Sequence, residues 1–242
     1  MIYDCFLFDG ELDMLAARLT ELQDRVDWFV LVEAAETFQG TAKALTFKEN
    51  AARFARWPIL PVVAELSGSD AWEREASQRA AMALMVNTYA QPDDLIVVSD
   101  VDEIWRADTD LTLDDGPLLV LELAHYVYSF GYRHPDPWSG PVVTTKRALD
   151  EMPFEAFQTL RGCRLHPRPP RRRNAGWHLS WFGGVQTCRD KLAAFSHTEL
   201  ADVDIEALMV AQLHVDGTPL IPITTRDVPR WVADGQSPEV WG

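Results

Sequence analysis

Leu95-Ile96-Val97-Val98-Ser99-Asp100-Val101-Asp102-Glu103 is an apolar run with a β-branched centre that ends abruptly in acid. An unbroken run of this kind suits a strand buried on both faces, as in a parallel sheet covered by helices. Alternate residues of an extended chain point the same way. The pattern therefore predicts that Asp100 and Asp102 present two carboxylates to one point just past the strand's carboxyl end. Open α/β sheets bind their ligands there. Two convergent carboxylates make a hard-oxygen site for Mg²⁺ or Mn²⁺, completed by substrate phosphates and water. Asp-x-Asp recurs as Asp108-Thr109-Asp110 and Asp202-Val203-Asp204, but only the first copy follows an apolar strand. The plainer reading of that copy is a solvated acidic turn.

The preceding residues repeat the same grammar three times. Ile2 to Phe8 reads as a first strand, Asp9-Gly10 as a turn, and Leu12, Leu15, Leu19, Leu22 and Val26 fall at helical spacing. Asp27 to Ala34 is a second strand, residues 46–56 a short helix, and Ile59 to Ala64 a third strand. Asp70 is placed to cap one long helix reaching Tyr89, with Ala76, Ala80 and Ala83 as a small-residue stripe. Strands alternating with helices predict a doubly wound α/β sheet. Beyond residue 105 the expected pieces are a strand over Leu118–Phe130, another over 142–146 and a mobile Pro- and Arg-rich loop over 167–174. Helices over about 185–195 and 203–213 follow, then a proline-rich tail from Pro219 that wraps the surface. One domain is expected over 1–242, with a ligand-binding half to about residue 105.

A net charge of −15 argues against a general nucleic-acid binder. The chain holds no apolar run long enough to span a membrane, and its first residues lack the pattern of a signal peptide. Cys5, Cys163 and Cys188 are an odd count without metal-type spacing, which fits reduced thiols in a cytoplasmic protein.

Several other residues are candidates for chemistry, each with a bland alternative. Glu33 closes the second strand, where a carboxylate accepts hydrogen bonds from a base or ribose, or simply from water. Arg74 and Gln78 share a helix face suited to a nucleotide, with Arg79 for a phosphate; the alternative is an exposed helix with a Glu75–Arg79 pair. Gly176-Trp177-His178-Leu179-Ser180-Trp181, followed by Gly183-Gly184, offers aromatic planes for a sugar and an imidazole for metal or diphosphate. A buried aromatic strand is its plainer reading. His197 and Glu199 lie after a helix, as ligand, base or cap. Arg161, Arg164, Arg168, Arg171, Arg172 and Arg173 either close over an anion or stay solvated. Phe8-Asp9-Gly10-Glu11 resembles the first motif of haloacid-dehalogenase-like phosphatases, but Leu7 occupies the nucleophile's position, so that mechanism fails.

In order along the chain, these segments resemble glycosyltransferase family 17, the family of the bisecting β-1,4-N-acetylglucosaminyltransferase. The carriers are Ile2–Phe8 with Glu11-Leu12-Asp13, Phe29–Ala34, Ala71–Arg74 with Gln78-Arg79, Pro92–Glu103, Gly176–Trp181 with Gly183-Gly184, and Phe195–Glu199. The resemblance implies a GT-A-type fold with a Rossmann-like, mostly parallel central sheet flanked by helices. It also implies a UDP-sugar donor, a divalent cation (Mn²⁺ or Mg²⁺) and inversion at the anomeric carbon. On this reading Asp100 and Asp102 are the metal and diphosphate residues, with Asp102 the direct ligand. Glu33, Arg74, Gln78, Arg79 and Trp177 line the donor, and Glu103, His178 and Glu199 are the candidate bases, with Asp202 or Asp204 as further alternatives. The acceptor half is 106–242, for a glycan or lipid-linked acceptor, and peripheral membrane association is compatible with that acceptor. N-acetylglucosamine is the default sugar, but the bisecting acceptor does not carry over to a cytoplasmic chain. The rivals are a sugar-phosphate nucleotidylyltransferase, disfavoured by the acidic loop after the first strand, and a non-catalytic glycan-binding module.

Overall fold

Each apolar run in the first hundred residues forms a strand, and the amphipathic runs between them form helices. In the computed structural model, which describes residues 1–152, 156–224 and 227–241, this half comprises β1 (Ile2–Leu7), α1 (Leu12–Leu22), β2 (Trp28–Ala34), α2 (Thr46–Asn50), β3 (Ile59–Ala64), α3 (Ala71–Ala80), α4 (Met82–Tyr89) and β4 (Leu95–Asp100). The second half comprises β5 (Glu103–Trp105), β6 (Leu118–Val127), β7 (Ser129–Arg133), β8 (Trp138–Thr145), α5 (Lys146–Asp150), α6 (Ala156–Gly162), β9 (Arg171–Arg172) and β10 (Gly176–Ser180). It ends with α7 (Gly184–Ala194), α8 (Ile205–Ala211), β11 (Ile221–Pro222) and α9 (Arg230–Ala233). Thr225, Arg226 and Gly242 of the expected tail lie outside the described residues. Among the described residues, no helix is long and apolar enough to cross a membrane.

The strands β3, β2, β1 and β4 lie side by side and parallel, in that order. Past β4 the sheet turns antiparallel through β8 and β6 to β7 and β11. The result is a mixed α/β sheet with helices on both faces. On one face Leu15, Leu19 and Leu22 of α1 pack with Phe6, Phe29 and Val97. On the other, Met82 and Val86 of α4 and Leu160 of α6 cover Cys5, Val30 and Val98. Burial on both faces is why these strands read as continuous apolar runs.

Four expectations change. The helix expected over 70–89 divides at Ala81, and its buried side carries Gln78, Arg79, Met82 and Val86, while Ala80 is exposed. Gln78 and Arg79 have polar partners inside the fold, and those bonds set the helix's rotation in place of the alanine stripe. The strand expected to reach Phe130 breaks at Tyr128, whose φ of 67° turns the chain into β7. The loop expected to be mobile contains β9, paired with β6, and Arg171 donates to Ser139 Oγ at 2.5 Å and to the Arg164 carbonyl at 2.9 Å. The tail does more than wrap the surface, because Trp231 and Trp241 are buried with Phe130 and Phe182.

β10 is the strand that joins the two halves of the site, antiparallel to β5 and parallel to β6. It seats only because Gly176 lacks a side chain. Its φ is +154°, and a Cβ there would lie 2.2 Å from the Ile104 carbonyl oxygen and 2.6 Å from Trp105 Cα. Gly176→Ala is expected to destabilise the fold by about 1–3 kcal/mol, as overpacking does, read from urea denaturation. A wild-type midpoint would mean that β10 is not seated against β5 in this way.

Candidate active site

The site begins with a buried ion pair. Asp4 interrupts the apolar run of β1, Arg18 interrupts the apolar stripe of α1, and both are 0% exposed. Arg18 donates to both Asp4 oxygens at 2.6–2.7 Å and to Ser99 Oγ at 2.6 Å. Its remaining nitrogen reaches the carbonyls of Asp100 at 3.1 Å, Val101 at 3.4 Å and Glu103 at 2.9 Å. Trp105 Nε1 completes the Asp4 shell at 3.1 Å. One guanidinium therefore fixes the turn between β4 and β5, which carries the acidic residues.

That turn alters the expected geometry. The strand ends at Asp100, and Val101-Asp102 form a turn, so the alternation that would have aligned the two carboxylates stops one residue too early. Each carboxylate faces its own cations. Asp100 takes Arg79 on one oxygen at 3.0 Å and Arg161 on the other at 2.7 Å. Asp102 takes Lys191 of α7 on one oxygen at 2.9 Å, while its other oxygen has, among the described residues, only His178 Nε2, at 3.7 Å. Burial works against charge on Asp100, but Arg161 and Arg79 outweigh it and hold its carboxyl well below the usual range. Burial also opposes charge on Lys191, and Asp102 and Glu11 outweigh it to raise that ammonium.

Glu103 is fully buried. It accepts from Trp138 Nε1 at 2.6 Å, from the Asp100 amide at 3.2 Å and from Arg161. Burial raises its carboxyl against the pull of Arg161. The β10 register sets His178 opposite Glu103 on one side and His125 on the other. The His178 ring stacks on Trp138 at 4.1 Å, and burial, with Lys191 and Arg161 nearby, keeps the imidazole neutral. Arg164 lies over the same Trp138 ring, 4.8 Å from its centroid. Half-buried Glu11, just before α1, is pushed up to about 6 by burial and by Asp9, with Lys191 pulling the other way.

The fold thus gathers Asp100, Asp102, Glu103, His178, Arg79 and Arg161. The other expected residues are placed differently. Glu33 is 2% exposed and accepts the Phe47 and Lys48 amides at 3.0 Å each, capping α2. Gln78 donates to the Val32 carbonyl at 2.8 Å and Arg74 to the Phe38 carbonyl at 2.7 Å, so both brace backbone. Trp177 points away from His178. It is 2% exposed, bonds the Asp227 carbonyl at 2.8 Å and lies under Arg106. Glu199 is exposed and paired with His197, whose ring meets Trp72 at 4.5 Å. That loop is tied to the site through Ser196, which donates to Glu75, the partner of Arg79.

Lys191, Glu11 and Trp138 belong to the cluster; Glu11 stands in one of the segments that carry the family resemblance without a role assigned to it, and Lys191 and Trp138 are not singled out by the sequence. Lys191 had no local signal, since its partner is far away in sequence. Asp4 and Arg18 did leave one, as charges inside apolar patterns. The donor set suits a divalent cation held mainly by substrate. Asp102 keeps one oxygen without a close partner beside a neutral imidazole, and Mg²⁺ or Mn²⁺ commonly takes one or two carboxylates, with phosphate and water for the rest.

Two solved structures resemble the chain distantly. One is described as a glucose-1-phosphate thymidylyltransferase from Bacillus anthracis in complex with sucrose, with 10% identity, a TM-score of 0.39, and 73% of this chain and 88% of that one covered. The other is mouse xyloside xylosyltransferase 1 in its apo form, with 11% identity, a TM-score of 0.35, and 66% and 71% covered. No curated protein matches the chain. The model of glycosyltransferase family 17 matches residues 1–210, most of the 242. The chain belongs to glycosyltransferase family 17, and it is a glycosyltransferase.

Proposed function

We propose that this glycosyltransferase is inverting and metal-dependent, and that it moves a sugar, N-acetylglucosamine by default, from a UDP-sugar to a glycan or lipid-linked hydroxyl. The observation that carries this reading is the Asp102 carboxylate. It lies past the carboxyl end of β4 beside neutral His178, in a cluster that also holds Arg79, Arg161 and Lys191. Asp102, beside His178, would hold Mn²⁺ or Mg²⁺ together with donor phosphate and water, while Asp100 orients Arg79 and Arg161. When bound, that ion neutralises charge developing on the leaving diphosphate.

The protein's own groups do the rest. Arg79, Arg161 and Lys191 supply fixed positive charge to the diphosphate, and their present carboxylate partners keep them oriented for it. Trp138, stacked by His178 and with Arg164 over its ring, holds these two side chains beside the acidic turn. Inversion requires one in-line attack by the acceptor hydroxyl, with a base to take its proton. Glu11 fits that role best among the carboxylates here, being half-buried with a pKa raised to about 6. Glu103 has no exposed surface and positions Arg161 and Trp138, and Glu199 is exposed and occupied by His197. Unpaired Cys5, Cys163 and Cys188 support a cytoplasmic setting.

Calorimetric titration with UDP-sugars, with and without Mn²⁺, tests the donor. Binding that appears only with Mn²⁺, with slow release of UDP, is the expected result. Absence of binding under both conditions would remove the donor assignment. Binding without any turnover, even with acceptors supplied, would favour the glycan-binding module.

A further inference from the structure

Four of the six histidines gather on one side of β6. His178 belongs to the active site, but His125, His134 and His214 have no part in it. The His134 and His214 rings lie 5.2 Å apart, and each packs against His125, at 5.0 and 5.3 Å. Asp216 closes the group, with its oxygens 3.0 Å from His214 Nδ1 and 3.7 Å from His134 Nε2. Among the described residues, His134, His214 and Asp216 are the one set of three such side chains whose ligand atoms all lie within 4.8 Å of one another.

A second observation points the same way. His214 Nδ1 and His125 Nε2 are buried with no hydrogen bond of good geometry. At His214 Nδ1 the neighbour is the Asp216 carboxylate, 3.0 Å away but outside hydrogen-bond geometry, and a cation between the two satisfies both. The frame is also built in advance. Leu213 bridges Pro219, the His214 amide donates to the Thr218 carbonyl at 2.9 Å, and the Thr218 amide donates to Asp216 Oδ1 at 2.8 Å. This hairpin is anchored to β7 by Tyr128 Oη on the Leu213 carbonyl at 2.9 Å and by Gln212 on Tyr132 Oη at 3.0 Å. The His134 amide donates to the His125 carbonyl at 2.8 Å.

We propose that His134, His214 and Asp216 bind a zinc-class divalent ion that staples the 212–219 hairpin to the end of β7. Two imidazoles and one carboxylate suit Zn²⁺, with water in the fourth position. Bonds of about 2 Å draw tetrahedral donors to roughly 3.3 Å from one another. The ligand atoms, within 4.8 Å of one another, reach that spacing by small rotations of both imidazoles and of Asp216, which is 54% exposed. His134 Nδ1 lies 3.3 Å from the Asp136 carbonyl and 3.1 Å from the Asp136 amide. Metal binding selects the tautomer that donates to the carbonyl, which frees the Nε2 lone pair. The inference does not depend on the proposed donor chemistry. It does bear on the site, since His125 stands between this cluster and His178, 4.8 Å away.

The test uses tag-free protein stripped with chelator and titrated with Zn²⁺ against a chromophoric competitor, with Co²⁺ absorption as a second readout. One ion per chain is expected in the wild type and in Asp102→Asn, with Co²⁺ bands typical of imidazole and carboxylate ligation. His214→Ala should weaken binding more than about 100-fold, since second-shell losses alone reach that figure. Asp216→Asn, at an exposed position, should also weaken binding and guards against misfolding of the histidine variant. The proposal is overturned if the wild type takes up no Zn²⁺, if both variants bind as tightly as wild type, or if Asp102→Asn is the variant that loses the ion.

Discussion

Asp102→Asn is expected to slow sugar transfer by about 10²- to 10³-fold, the range found when one preorganised electrostatic group is removed. The substitution keeps the size of the side chain and leaves an amide oxygen for Lys191, but it withdraws the charge proposed to hold the cation. Stability should move by about 1 kcal/mol or less. The lost Lys191 pair is on a partly exposed ammonium, and repulsion of Asp102 with Glu11 and Glu103 disappears with it. Initial rates of UDP release over a Mn²⁺ series, alongside urea denaturation, separate the two effects. Transfer at the wild-type rate would show that Asp102 is not the metal ligand. A collapse of stability parallel to the rate would assign it a structural role.

Arg18→Met should be the most damaging single change in the core, at about 3–5 kcal/mol, the usual cost of breaking a buried ion pair from one side. Asp4 would lose its cation at 0% exposure and keep the Trp105 Nε1 contact, and three carbonyls of the β4–β5 turn would lose their donor. That is a large share of the 5–15 kcal/mol typical of a domain. Adding Asp4→Asn should recover part of the loss, because the unpaired charge goes with it. Arg53→Met, which breaks an exposed pair with Asp13, should cost no more than about 1 kcal/mol. Equal urea midpoints for the Arg18 and Arg53 variants would refute this account of the buried pair.

The first half of the fold was legible because burial on both faces leaves little ambiguity in an apolar run. Ile59–Ala64 is read to the residue, and the strand at Leu95–Asp100 ends where its first acid stands. The division of the helix at Ala81 has no glycine or proline to mark it, and follows instead from where Gln78 and Arg79 find partners. Within the site, the acidic motif was visible and its geometry was not. Alternation predicts convergence only while the chain stays extended, and the turn at Val101-Asp102 is set by Arg18, a residue read as part of an ordinary helix. An arginine between Leu15 and Leu22 at helical spacing, together with an aspartate inside the first apolar strand, was a readable sign of a buried pair. Lys191 and Glu11 gave no such sign. Their role comes from tertiary proximity, and both residue types are unremarkable on a helix or at its start.

The grip of Arg18 on the carbonyls of Asp100, Val101 and Glu103 also bears on how the enzyme can move. A segment opens locally when its hydrogen bonds can be broken without disturbing the core. The turn carrying Asp100 and Asp102 is tied to a guanidinium that the core itself encloses, so its opening free energy approaches that of the whole domain. The Asp100 amide, which donates to buried Glu103, is expected to be among the slowest to exchange. Any motion that admits substrate is therefore expected in the elements tied to that turn from outside the core, α7 through Lys191 and the Phe195–Glu199 segment through Ser196, and not in the turn itself.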